Sequence, residues 1–127
     1  MIQTGSVLSI CDNSGAKFAK CIRILKGSKT RYGKIGDKVV LTIKMLRAKR
    51  RAQSKVQKGK IFYGLIVHTK QDVVSLHGIS QKFLINSAIL LNQQNKPIGS
   101  RILLGLPRKI RYSKYMRLTA ISAGILK

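Results

Sequence analysis

Hydrophobic and polar positions alternate along much of this chain, and turn chemistry interrupts the alternation every few residues. Near the start, Leu8 and Ile10 face one way and Val7, Ser9 and Cys11 the other, the two-residue period of a strand. "DNSG", residues 12–15, predicts a turn, because Asp and Asn side chains bond their own backbone and Gly15 tolerates positive φ. A second strand follows through Phe18, Cys21, Ile22, Ile24 and Leu25. "KVVLTIKM", residues 38–45, alternates again, with Val39, Leu41, Ile43 and Met45 on one face. "IFYGLIVHT" makes a fourth strand, "SLHGIS" a hairpin turn before "QKFLIN", and "SAILLN" and "RILL" two further short strands. Only "PRKIRYSKYMRL", from Pro107, invites helix, with the proline at a first helical position. The remaining segments are loops: glycine-punctuated "KGSKTRYGKIGD", a basic run over 44–60, and polar "NQQNKPIGS". The pattern predicts a small, mostly antiparallel barrel with a short helical appendage.

Charge changes this picture more than any other quantity. The 127 residues carry 26 Lys plus Arg against three acids, Asp12, Asp37 and Asp72, for a formal charge of +23. Pairwise repulsion at this density, screened by physiological salt, costs on the order of 4 kcal/mol. Total stability of such a domain is only about 5–15 kcal/mol. A polyanionic partner would turn that cost into attraction, and nucleic acid is the first candidate. With 44% hydrophobic residues the chain can still hold a core. No apolar run approaches the roughly 20 residues that span a bilayer, and the N-terminus has the pattern of neither a secretory signal nor an import peptide.

Cys11 and Cys21 flank the predicted turn, and His68 and His77 lie in a different strand–turn unit, so no zinc-ligand spacing forms. Buried thiols packing as hydrophobes are the first reading, ahead of a disulfide across the hairpin and of metal. There is no glutamate, the aspartates are far apart in sequence, and neither histidine has a motif partner. "KGSKTRYGK" lacks phosphate-loop spacing. No catalytic constellation, cofactor motif or metal site is visible, and the chain reads as a non-enzyme.

Two clusters point to RNA on residue chemistry alone. Lys44, Arg47, Lys49, Arg50, Arg51, Lys55, Lys58 and Lys60 form the densest positive run, with no acid inside it to compensate. Lacking proline, and with Gly59 as its one glycine, the run could take up a helical turn against RNA. Arg31 and Tyr32 lie in the glycine-rich loop, where a tyrosine between cations suits stacking on a base or, equally, a buried anchor.

"MIQTGSVLSICDNSGAKFAKCIRIL" resembles the opening of the universal family of large-ribosomal-subunit protein fourteen. "RYGKIGD", "LTIK", "GLIVHTK", "FLINSAILLN", "PIGSRI" and "KYMRL" follow in that family's order, over nearly the whole chain. Gly78, Phe83 and Asn86 fit its central pattern, whereas His77 stands where Asp, Asn or Ser is usual and His68 where Arg is common. The basic loop lacks the family's proline and is a few residues longer.

The resemblance implies a structural constituent of the large subunit that binds large-subunit rRNA. It also implies that the C-terminal end lies at the face between subunits and contributes to a bridge to small-subunit rRNA. Ser100, Arg101, Arg108, Lys109, Arg111, Lys114 and Arg117 match that face, with Tyr112 and Tyr115 among them. "GSR", residues 99–101, and Arg117 match the place where a ribosome-silencing factor can dock. Neighbouring large-subunit proteins three and nineteen are the further partners implied.

The expected fold is mainly β: a small, five-stranded antiparallel barrel with a projecting β-ribbon or basic loop and short C-terminal helices. One domain over 1–127 is expected, with the barrel to about residue 105 and the appendage over about 106–127. A free-standing basic nucleic-acid chaperone or architectural protein is the alternative that charge alone permits. A cationic membrane-active peptide would need an amphipathic helix, which the strand-rich pattern opposes. The Lys-, Ile- and Leu-rich composition suggests an AT-rich genome and an organelle-encoded protein of the mitochondrial ribosome. A plastid or a bacterial cytoplasm is the alternative compartment.

Overall fold

The computed structural model describes residues 1–48, 52–74 and 77–126. Five strands close into a barrel: β1 (Val7–Ile10), β2 (Ala16–Ile24), β3 (Lys38–Leu46), β4 (Ile61–His68) and β7 (Ser87–Leu91). Neighbours pair antiparallel except β1 and β7, which run parallel with Ser9 beside Ser87 and close the cylinder. A two-stranded ribbon, β5 (Val73–Val74) with β6 (Ser80–Gln81), projects between β4 and β7. Beyond the barrel come β8 (Leu106–Pro107), α1 (Arg108–Arg111), α2 (Arg117–Ala120) and β9 (Ile125–Leu126), with β8 and β9 paired in parallel. The expected mainly-β barrel is the fold observed.

Alternation accounts for the interior. Leu8, Ile10, Ala19, Cys21, Val39, Leu41, Ile43, Ile66, Ala88 and Leu90 fill the cylinder. Two apolar runs fail to alternate, and the reason is tertiary. All five residues of β7, and Gly64–His68 of β4, are buried because both faces of these strands are covered. Leu65, Val67, Ile89 and Leu91 turn outward and pack under Ile102, Leu106, Ile110, Tyr115 and Leu118 of the C-terminal segment. That second cluster buries roughly 1.5–3 kcal/mol of transfer free energy per large aliphatic side chain.

Several sequence-based expectations need correction. Met45 does not join Val39, Leu41 and Ile43 inside; it is 50% exposed. Ile43 pairs with Ala19 and Met45 with Phe18, so Lys44 is an extra residue in β3, and this bulge reverses the parity of every residue after it. "RILL" forms no strand. Ile102 makes isolated bridges to Asp12 and Ser122, and the regular pairing starts later, at Leu106. The C-terminal stretch forms the expected short helices, each of one turn, but Pro107 caps the first instead of entering it. The turn expected over "SLHGIS" includes residues 75 and 76, outside the described residues; Gly78 within it has φ +77°.

Both thiols are free and buried, in different clusters: Cys21 inside the barrel and Cys11 in the outer core. Burial, reinforced by the Asp12 charge, pushes the Cys11 thiol up to about 12, so it packs as a neutral hydrophobe.

His68 joins the barrel to its C-terminal segment. Its Nε2 lies 2.8 Å from the Gly105 carbonyl, its Nδ1 2.8 Å from Ser87 Oγ, and its ring stacks on Phe83 at 4.2 Å. A carbonyl only accepts, so Nε2 carries the proton and Nδ1 accepts from the serine hydroxyl. Burial lowers the His68 pKa from the usual 6.5. The unfolded chain therefore takes up a proton first, and the contribution of His68 to stability is complete above pH 6.5 and declines as pH falls below it. Thermal unfolding followed from pH 8 to pH 5 should show a fall in Tm below pH 6.5 that is shallower in His68→Gln. Equal slopes in the two proteins would contradict this assignment.

Candidate nucleic-acid interface

The barrel has two ends, and the cationic segments divide between them. One end carries the β1–β2 turn, the basic run between β3 and β4, and the loop after β7. The other carries the loop between β2 and β3, the N-terminus and the β5–β6 ribbon.

At the first end the "DNSG" turn is the organising element. Asp12 is fully buried, and its carboxylate accepts from the backbone N–H and hydroxyl of Ser14 and from the Leu90 N–H at 2.9 Å. Gly15 completes the turn at φ +100°. Asn13 reaches across to the distant "GSR" step: its Oδ1 accepts from the Arg101 N–H at 3.1 Å and its Nδ2 donates to Ser100 Oγ at 2.8 Å. Gly99 must be a glycine, since a Cβ there would lie 2.9 Å from Asp12 Cβ. The basic run is tied to the same turn, with the Arg47 N–H donating to the Gly15 carbonyl and the Lys55 N–H to that of Ser14, both at 2.9 Å. Val56, fully buried in the barrel interior, plugs the run into this end.

Residues 52–60 run as turns and bends, with no helical turn. Lys44, Lys55, Lys58 and Lys60 are exposed. Arg47 differs: half-buried, it donates from its guanidinium to the Ile10 carbonyl at 3.0 Å, so it braces the barrel rather than standing free for a phosphate. Lys49, Arg50 and Arg51 lie outside the described residues.

The C-terminal cations follow from the outer core. Ile110, Tyr115 and Leu118 face inward, which turns Arg108, Lys109, Arg111, Lys114 and Arg117 outward with the exposed Arg101 and Ser100. The two tyrosines part company. Tyr112 is 72% exposed and takes a hydrogen bond from Arg108 Nε at 3.1 Å, whereas Tyr115 is a core residue. At the opposite end, Arg31 is exposed and Tyr32 is 42% exposed, so the buried-anchor reading of Tyr32 does not hold. The structure thus joins the described part of the 44–60 run to Ser100 and Arg101 through the "DNSG" turn and leaves Arg31 and Tyr32 apart from both.

Electrostatically this surface is uncompensated. Asp37 is spent on the Lys34 N–H and on Lys26 at 3.2 Å, Asp72 lies 3.9 Å from Lys82, and Asp12 is buried. Sequence reading missed Asn13 and the structural use of Arg47. Asn13 carries a family-like signal, but its partner lies 88 residues away. Among the described residues no three of His, Cys, Asp or Glu come together as a metal site would need, and no helix is long and apolar enough to cross a membrane.

The class defined by these observations is a small closed barrel that displays cations on its loops and helix ends. Residues 1–126 match the family model described as Ribosomal protein L14p/L23e, and the chain belongs to that family. It is accordingly a structural, non-enzymatic constituent of the large ribosomal subunit.

Proposed function

We propose that the chain binds large-subunit rRNA through the cationic barrel end and contributes to an intersubunit bridge through its C-terminal face. The supporting observation is the "DNSG" turn, which holds the "GSR" step through Asn13 and the basic run through the Ser14 and Gly15 carbonyls, with no exposed carboxylate among the described residues beside it. Lys44, Lys55, Lys58 and Lys60, with Lys49, Arg50 and Arg51, neutralise phosphates as point charges or forks. Arg31 and Tyr32 make a second RNA contact at the other end, where the exposed ring suits base stacking. Ser100, Arg101, Arg108, Lys109, Arg111, Lys114 and Arg117 face small-subunit rRNA, and Ser100, Arg101 and Arg117 also form the platform for a silencing factor. Large-subunit proteins three and nineteen are neighbours, residues 1–127 act as one domain, and the ribosome is mitochondrial with this chain encoded in the organelle.

Gradient sedimentation of an organelle lysate, with the chain followed by mass spectrometry, tests this reading. The chain should persist in the large-subunit and whole-ribosome peaks at high salt. Release into light fractions at moderate salt with RNA of any kind would overturn it in favour of a loose polyanion binder. A coding sequence on a nuclear chromosome would remove the organelle-encoded part alone.

A further inference from the structure

A cleft of about 370 Å³ opens where β3 and β4 meet the loop after β7. Its volume lies within the range of about 300–1,000 Å³ typical of small-ligand sites. The walls are Val40, Ile61, Phe62, Tyr63, Leu91 and Ile98, and Asn92 and Gln93 line it as well. Ile61 is 65% exposed, an apolar side chain presented to solvent rather than packed. Asn92 is held in place, its Oδ1 accepting from the Lys96 N–H at 2.9 Å and its own N–H donating to the Lys96 carbonyl. The Asn92 Nδ2 and the Gln93 carboxamide have no hydrogen-bond partner among the described residues. Lysines surround the opening. Lys38 Nζ sits 4.0 Å over the Tyr63 ring and 2.6 Å from Asn95 Oδ1, Lys55 Nζ lies 3.4 Å from the Ile98 carbonyl, and Lys60 immediately precedes Ile61. No acid lines the cleft.

We infer that this cleft receives a single unpaired nucleobase of the RNA to which the chain binds, an inference that rests on the function proposed above. Apolar walls match the faces of a base, free carboxamides match the donors and acceptors on its edge, and the flanking ammonium groups match the phosphates on either side. An apolar side chain from a neighbouring protein would satisfy the walls alone. It would leave the carboxamides unpaired and the lysines uncompensated.

The test uses Ile61→p-benzoylphenylalanine in the full chain, assembled into large subunits and irradiated, with crosslinks mapped by reverse-transcription stops and mass spectrometry. A crosslink to one nucleotide or its immediate neighbour is expected. Alongside it, the Ile61→Ala/Gln93→Ala protein should bind large-subunit RNA about tenfold more weakly, with an unchanged slope of log affinity against log salt, because a base contact releases no counterion. Crosslinks confined to protein, no crosslink, or an affinity within twofold of the parent would overturn the inference. The unsubstituted chain in the same gradients separates the two readings: its absence from large subunits removes the proposed function, whereas its presence with no RNA crosslink at position 61 removes the base site alone.

Discussion

Asp12→Ala is expected to destabilise the chain by about 4 kcal/mol, a large fraction of the about 5–15 kcal/mol that holds a domain folded. The carboxylate is fully buried and accepts from two Ser14 donors and from the Leu90 N–H. A buried hydrogen bond to a charged group contributes about 1.5–3 kcal/mol, and an orphaned buried donor costs about 1–3 kcal/mol. Alanine removes every acceptor at once and leaves the Ser14 and Leu90 N–H groups facing apolar neighbours. At this chain length the loss corresponds to a fall in Tm of about 10–15 °C. Asp12→Asn should lose about half as much, since one carbonyl oxygen remains while the new NH2 group faces a donor. Urea unfolding followed by circular dichroism measures both, and a cost below about 1 kcal/mol for the alanine variant would show that the turn holds without its carboxylate. The same substitution loosens the scaffold of Asn13, so the "GSR" step should lose protection from hydrogen exchange in parallel.

The second large effect is on RNA binding by the isolated chain. If about eight phosphates are neutralised, affinity for large-subunit RNA falls roughly a thousandfold between 50 and 200 mM salt, from a slope near −0.7 per contact. Replacing the exposed Lys44, Lys58 and Lys60 together by Gln should flatten the slope by about 2 and reduce that fall to roughly a hundredfold. Arg47→Gln should behave differently. Its guanidinium is already committed to the Ile10 carbonyl, so the expected loss is in thermal stability, with little change in slope. Filter binding across a salt series, with Tm measured on the same preparations, separates the two. An unchanged slope in the triple variant would remove those lysines from the interface.

Much of the fold was legible because a strand writes its burial with period two. Leu8, Ile10, Leu41 and Ile43 show this, each facing the interior as its neighbours suggest. Met45 was misread because one extra residue, Lys44, shifts the parity, and a bulge leaves no mark in hydropathy. "RILL" was misread because apolar residues pack equally well in an irregular segment when a second core lies beneath them. At the interface, exposure of the cations was legible and their geometry was not. Nothing in the sequence distinguishes Arg47, which braces the barrel, from Lys44, which stands free. Nor does it separate Tyr115, a core residue, from Tyr112, an exposed one.

The sequence by itself determined the mainly-β class, the positions of the principal strands, the extreme positive charge and, through its ordered segments, the family. These are properties of local pattern and composition, which survive without knowledge of who touches whom. Only the tertiary structure decided that β1 and β7 close the barrel in parallel, that β4 and β7 are covered on both faces, and that the "DNSG" turn is fastened to residues 99–101. The first and third join residues some 80 or more positions apart, and the second depends on a C-terminal segment that belongs to neither strand. Hydrophobic burial and backbone hydrogen bonding settle such choices over the whole chain at once, and no window of sequence contains them.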